Sequence, residues 1–285
     1  MNEHRPMAQA HTHHIHRHAA APWVELRTSV NTFDCYRAHA HAEYCIGIVD
    51  QGHATFHHPE GPSTITPGAV VLIEPQVVHA CNPLPSQVWS YRMLFINAAW
   101  LHQAIAPLWH MDTPPEGLSF LSRCLNDPGS RQAVHRLCQP VDGEQAAQAL
   151  AQTLPAWVAG LSRPGCPRTD TPPPAELAPA FAALHTAQDQ RLTIRELAAA
   201  CSLSESQFIR RFRDAMGMTP GHYLQNLRLN GARRLLSQGA ALADAAHAMG
   251  FADQAHLQRA FKAHHAMTPG AYRNTRHTHA HPPTP

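Results

Sequence analysis

Two groups of residues in this 285-residue chain have the types and spacing to do chemistry. The first is a basic phrase written twice. Phe208, Arg210, Phe212, Arg213, Met218, Thr219, Pro220, Gly221 and Tyr223 fall on Leu257, Arg259, Phe261, Lys262, Met267, Thr268, Pro269, Gly270 and Tyr272, each pair 49 positions apart. Apolar anchors four residues apart share one helical face, so the basic residues between and beyond them are free to point elsewhere. The second group lies in the stretch 37–52. If that stretch is a strand, His39, His41, Glu43 and Cys45 share a face by parity. Imidazole, carboxylate and thiolate are donor types for a transition-metal ion.

The elements that must position these groups follow from the pattern around them. Hydrophobic residues make up 44% of the chain, enough for real cores, and the length suits about two domains. No run of 18 apolar residues occurs, so no membrane span is expected. The first 22 residues are polar and His-rich, unlike a signal peptide. Seven cysteines with no CxxC argue for a reducing, cytoplasmic setting. Charge is uneven. Residues 1–174 carry 10 Lys and Arg against 13 Asp and Glu, whereas residues 175–285 carry 12 against 7, which points the second half towards an anionic partner.

Along the chain, residues 1–22 and 277–285 read as disordered His-rich tails. Residues 23–97 hold short apolar runs punctuated by Gly and Pro ("EYCIGIV", "GHATFHH", "STITPGAVVLI", "VWSYRMLFI"), the mark of a sandwich or barrel. Residues 98–161 read as helical, "GLSFLSRCL" included, and form a dimerisation or connector segment whose apolar face packs on a partner copy or on the barrel. Residues 162–175 are Pro-rich and read as a linker. Residues 176–276 are helical throughout.

Each copy of the basic phrase has a short helix and a tight turn upstream. Ser204 is placed to cap the next helix with Gln207 completing a capping box, and Asp253 is the matching cap in the second copy. Helix, tight turn, helix is the arrangement that lays a second helix in the DNA major groove. The whole stretch, and "GFADQAHLQRAFKAHHAMTPGAYR" above all, resembles the DNA-binding domain of the AraC/XylS family. Two departures stand out. Leu257 replaces an aromatic, and Ala266 replaces a Gly at the turn before Met267. The resemblance implies recognition helices near 204–216 and 254–264, joined by a long helix from Pro220 to about Ser237. By position in those helices, Ser206, Ile209, Arg210 and Arg213 are candidates for the first groove, and Gln254, His256, Gln258, Arg259 and Lys262 for the second. Arg can bond O6 and N7 of guanine together, and Gln can do the same on adenine. Arg211 and Lys262 also suit phosphates. Ile209 suits a thymine methyl or internal packing.

The segment 37–52 and the later "PGAVVLIEPQVVHACNP", ending near His79, resemble the cupin barrel that forms the effector domain in much of that family. Against metal-binding cupins, His39, His41 and His79 match the three His positions, Cys45 stands at the Glu position, and Glu43 lies two residues out of place. The implied effector site is His39, His41, Glu43, Cys45 and His79. Three readings stand open there: a divalent transition metal on His39, His41 and His79, an organic ligand, or histidines bonded to backbone. The expectation is an α+β multidomain chain: a cupin-like barrel with a helical dimerisation segment, then an all-α domain with two helix-turn-helix units. Its expected role is an effector-controlled transcriptional regulator, an activator in the family pattern, whose partners are double-stranded DNA, a second copy and RNA polymerase. A cupin enzyme or a metal or redox sensor is the alternative, and fusion to a DNA-binding domain argues against catalysis.

Overall fold

The computed structural model describes residues 12–165, 173–186 and 192–274. Its first half is built from β1 (Thr12–His16), β2 (Val24–Thr32), β3 (Tyr44–Gln51), β4 (Ala54–His57), β5 (Ser63–Ile65), β6 (Val70–Ile73), β7 (Ala80–Pro83) and β8 (Trp89–Ile96). Two antiparallel sheets face each other. One has the order β1-β2-β8-β3-β6 with a short sixth strand at its edge, and the other has the order β5-β4-β7. Strand β3 shows why its apolar run is unbroken. Cys45 and Val49 face the barrel interior with Phe56, Ile73 and Trp89. Tyr44, Ile46 and Ile48 face outward beneath helices. A strand covered on both faces has no polar side to show.

Those helices are α1 (Ala98–Ile105), α2 (Pro128–Leu137) and α3 (Glu144–Ala159), with β9 (Leu118–Phe120), β10 (Cys124–Leu125) and β11 (Ser162–Pro164) between and after them. The "GLSFLSRCL" segment is therefore two short strands rather than helix. Cys124 and Leu125 pair with Val71 and Val70 at the edge of the large sheet, and sheet pairing there overrides a weak helical pattern. The start of the expected linker is also a strand, because Ser162–Pro164 pairs with Leu118–Phe120. The apolar face of α3 is spent on the barrel. Ala147, Leu150, Leu154 and Val158 share a core with Ile46, Leu94 and Leu101, so that face has no room for a partner copy.

The tail reading is corrected as well. Thr12–His16 pairs in register with Leu26–Val30. His13 bonds Ser29 at 2.8 Å and Asp34 at 2.9 Å, and Ile15 is buried in the core of the second half of the molecule. By alternation His13 and Ile15 share one face of the strand, so the face that bonds Ser29 also supplies Ile15 to a core. Residues 1–11 and the tail at 277–285 lie outside the described residues.

A 3-10 turn at Ala175–Leu177 leads into α4 (Ala178–Thr186), α5 (Ile194–Ala200), α6 (Glu205–Met216), α7 (Pro220–Ser237), α8 (Leu242–Ala248), α9 (Gln254–His265) and α10 (Pro269–Arg273). The caps are where the sequence puts them. Ser204 and Gln207 form a capping box on α6, and Asp253 accepts from His256 N on α9. The repeated Thr-Pro serves twice as N-cap plus first helical residue, Thr219 for α7 and Thr268 for α10. Phe208, Phe212 and Tyr223 centre the first helix-turn-helix core, and Leu257, Phe261 and Tyr272 the second. Leu257 fills its aromatic-sized place fully buried. Gly217 and Ala266 occupy equivalent ends of α6 and α9, both left-handed at φ 69° and 55°. Glycine takes this conformation freely, whereas alanine is strained there.

Candidate functional site

Helices α6 and α9 each bury one stripe and present the other. On α6, Ser206, Arg210 and Arg213 are exposed. Ile209 is also exposed, at 37%, so it does not pack internally. Arg211 is drawn off this face by an ion pair with Glu176. On α9, Gln254, Gln258, Arg259 and Lys262 are exposed, while His256 is half-buried, with its ring 5.2 Å from that of Phe251. Arg210 and Arg259 hold equivalent exposed places, two residues after the buried anchors Phe208 and Leu257. The 18-residue α7 joins the units. At 1.5 Å per residue it is about 27 Å long, on the order of the roughly 34 Å between successive major-groove segments on one face of DNA.

The barrel mouth gathers the histidines. His39 and His79 form a backbone bridge, with N–H to O distances of 3.0 and 2.8 Å. One ring nitrogen from each of His39, His41 and His79 lies within 4.8 Å of the others. Burial lowers the pKa of His39 to about 4 and of His41 to about 3, helped by His41 and Arg233 respectively, and holds His79 well below its ordinary value. All three rings are neutral at pH 7. Cys45 stands behind them, its Sγ 3.3 Å from His41 Nε2, and burial keeps it a thiol. They border a cavity of about 50 Å³ that Arg27, Tyr36, Trp89 and Tyr91 also line.

Glu43 is not among the clustered ligands, its carboxylate standing 4.0 Å from His41 Nδ1. The parity argument needs a regular strand, but the chain bends at Ala42–Glu43 before β3 begins. Glu43 turns instead to Arg233 of α7, which it holds at 3.1 and 3.3 Å. Arg233 also donates to Tyr272 Oη at 3.0 Å and lies 3.6 Å from Glu25, whose other partners are Arg17 at 2.6 Å and Tyr272 Oη at 2.8 Å. Burial works against the charge of Arg233, and Glu43 and Glu25 more than restore it. Asn226 and Asn230 both donate to the Ala40 carbonyl, at 2.9 and 2.8 Å, and Arg27 donates to the His265 carbonyl at 2.8 Å. The helical half thus closes the barrel mouth through buried polar bonds. Sequence reading missed this interface, although Asn226, Asn230 and Arg233 at i, i+4 and i+7 fall on one face of α7.

The helix-turn-helix domain family matches residues 197–275, and the AraC-like ligand binding domain family matches residues 27–159. The uncharacterized HTH-type transcriptional regulator YbfI of Bacillus subtilis is 24% identical over 226 residues, 77% of this chain and 80% of that one. A putative AraC-like transcription regulator of Streptomyces antibioticus is 35% identical over 118 residues, 41% of this chain and only 35% of its own length. Among solved structures, wild-type ToxT of Vibrio cholerae with unsaturated fatty acid bound has a TM-score of 0.54 at 13% identity, covering 88% of this chain and 94% of that one. At that identity the likeness speaks for the fold. Among the described residues, no helix is long and apolar enough to cross a membrane.

Proposed function

The chain belongs to the AraC-like helix-turn-helix transcriptional regulators, and from that premise we propose that α6 and α9 together read one extended duplex site while a ligand at the barrel mouth sets their posture. One observation carries this reading. Two capped recognition helices expose Arg210 and Arg259 at equivalent places, and the helix between them is bonded directly to the barrel mouth. Two units in tandem lengthen the site without a second chain, each good bidentate base contact adding about 1–3 kcal/mol of discrimination. Arg210, Arg213, Gln254, Gln258 and Arg259 take the base edges, with Ser206 and Ile209 beside them, and Lys262 takes phosphate. A ligand changes DNA affinity only if it binds the docked and released arrangements unequally.

The remaining partners follow from the same reading. A second copy seats in the open groove of about 430 Å³ between α2 and α3, on its Ala133, Val141, Ala149 and Trp157 lining, rather than on the consumed face of α3. Contact with RNA polymerase belongs to an activator's role. The six described cysteines are unbridged, which suits a reducing cytoplasm. The test is selection of bound duplexes from a random pool by the full chain. Enrichment of one extended site is expected, and recovery of an unenriched pool at physiological salt contradicts the reading.

A further inference from the structure

The barrel-mouth histidines are bonded in a way that support of the fold does not require. Each gives its Nδ1 proton to a backbone carbonyl: His39 to Arg37 at 2.9 Å, His41 to Glu43 at 3.0 Å and His79 to Val77 at 2.9 Å. The same tautomer is fixed three times over and leaves each Nε2 an acceptor, which His41 turns to the Cys45 thiol at 3.3 Å. Neutral lone pairs gathered this closely repel one another unless a cation stands among them. A carbonyl behind each ring is also the arrangement that orients a metal-bound imidazole and raises its basicity. Size points the same way. The cavity of about 50 Å³ is far below the roughly 300 Å³ of a small organic-ligand site. It suits an ion with a few waters, each needing roughly 10–15 Å³ of such space. A separate groove of about 620 Å³ on the other side has His79 in its lining.

A fourth imidazole approaches from the other domain, outside the 4.8 Å cluster and on a neighbouring cavity of about 40 Å³ that His39 and His41 also line. His264, in the last turn of α9, sets its ring 5.0 Å from that of His39 at 65°. Its Nε2 donates to Asn226 Oδ1 at 3.0 Å, so its Nδ1 carries the lone pair. That Nδ1 is buried and has no hydrogen-bond partner among the described residues. Buried ring nitrogens are normally satisfied, and one that is not marks a missing bonding partner.

We propose that His39, His41 and His79 hold a divalent transition-metal ion and that His264 closes the site, so that the ion clasps the second recognition helix to the barrel. The reading of the chain as a regulator with a barrel ligand gives this clasp its meaning: metal is the ligand, and its release frees α9. Three imidazoles with a fourth ligand are a tetrahedral set that suits zinc or cobalt. Bonds of 2.0–2.1 Å place ligand nitrogens about 3.3 Å apart, so occupation draws the rings inward, His39 and His79 moving with their shared backbone bridge.

The test titrates Co²⁺ into the full chain after stripping with chelator, following visible absorption and bound metal by dialysis. The chain holds 24 histidines, so binding is read as the difference between wild type and variants. One tight ion per chain with a four-coordinate cobalt spectrum is expected, absent in His79→Ala and weakened roughly 10–100-fold in His264→Ala. His79→Gln replaces His79→Ala if circular dichroism shows that the latter is unfolded. The proposal is overturned if no ion is lost with His79, or if His264→Ala leaves affinity and spectrum unchanged. A sulfur-to-cobalt charge-transfer band that vanishes in Cys45→Ser overturns it too, by giving the fourth position to Cys45. Duplex selection by the metal-free and Co²⁺-loaded chain separates this from the regulator reading. A specific site whose affinity ignores metal sinks the clasp alone, whereas metal binding without any preferred site sinks the regulator alone.

Discussion

Replacing Arg233 by Met tests whether the helical half is held to the barrel by charge. The methionine keeps an apolar stem over the Phe95 ring, where the guanidinium now sits 4.8 Å from the centroid. It leaves two carboxylates behind. Glu25 keeps Arg17 at 2.6 Å and the Tyr272 hydroxyl at 2.8 Å, so it remains compensated. Glu43 loses both of its bonds to Arg233, and its side chain is 29% exposed, so water compensates only part of the loss. Breaking a fully buried pair from one side costs about 3–5 kcal/mol. With Glu25 still paired and Glu43 partly wet, about 2–3 kcal/mol is expected here. Glu43→Gln added to Arg233→Met removes the stranded charge and recovers part of that loss. Urea unfolding of the wild type, both single variants and the double variant gives the coupling directly, expected at about 1.5 kcal/mol or more. Single-variant effects that simply add, within about 0.5 kcal/mol, would falsify the claim that these residues act as a pair across the domain boundary.

Three further outcomes are expected. Ala266→Gly relieves a left-handed alanine at the end of α9 and raises stability by about 1 kcal/mol; a lower urea midpoint in this variant would show that the turn is unstrained. The folded pKa values of His39 and His41, about 4 and 3, lie below the unfolded value near 6.5. The unfolded chain therefore takes up protons first as pH falls. The metal-free chain keeps its full histidine contribution above about pH 6.5 and loses about 1.4 kcal/mol per pH unit per histidine below it, His39 down to about pH 4 and His41 to about pH 3. Urea midpoints that match at pH 7 and pH 5 contradict this. Lys262→Ala lowers the slope of log affinity for DNA against log salt by about 1. Arg211→Ala changes that slope less, because Glu176 already engages its guanidinium; equal changes in the two variants would count against the ion pair in solution.

Much of the helical half could be read from residues alone because its signals are local. Capping residues, the Thr-Pro pairs and anchors at i and i+4 act within one turn, and the structure keeps them: Ser204 with Gln207, Asp253, and Phe208 with Phe212. The barrel strands were legible for the same reason, since Gly and Pro punctuate them. What escaped depends on distant partners. Thr12–His16 looks like a polar tail until β2 lies beside it and a second-domain core receives Ile15. Cys124–Leu125 becomes strand only because the edge of β6 is open to it. Glu43 was placed with the histidines by parity, but a bend of two residues sent it across a domain boundary to Arg233. His264 sat unremarked in the signature segment. Its importance appears only when α9 meets His39.

The central claim is that two recognition helices read one extended site, and the most direct measurement repeats the duplex selection with Arg210→Ala and Arg259→Ala in the full chain. Each variant is expected to bind the same site about 1–3 kcal/mol more weakly and to lose preference only at the base pairs its own helix covers. Selected sites identical to the wild type's in both variants would contradict the assignment of α6 and α9 to the DNA grooves.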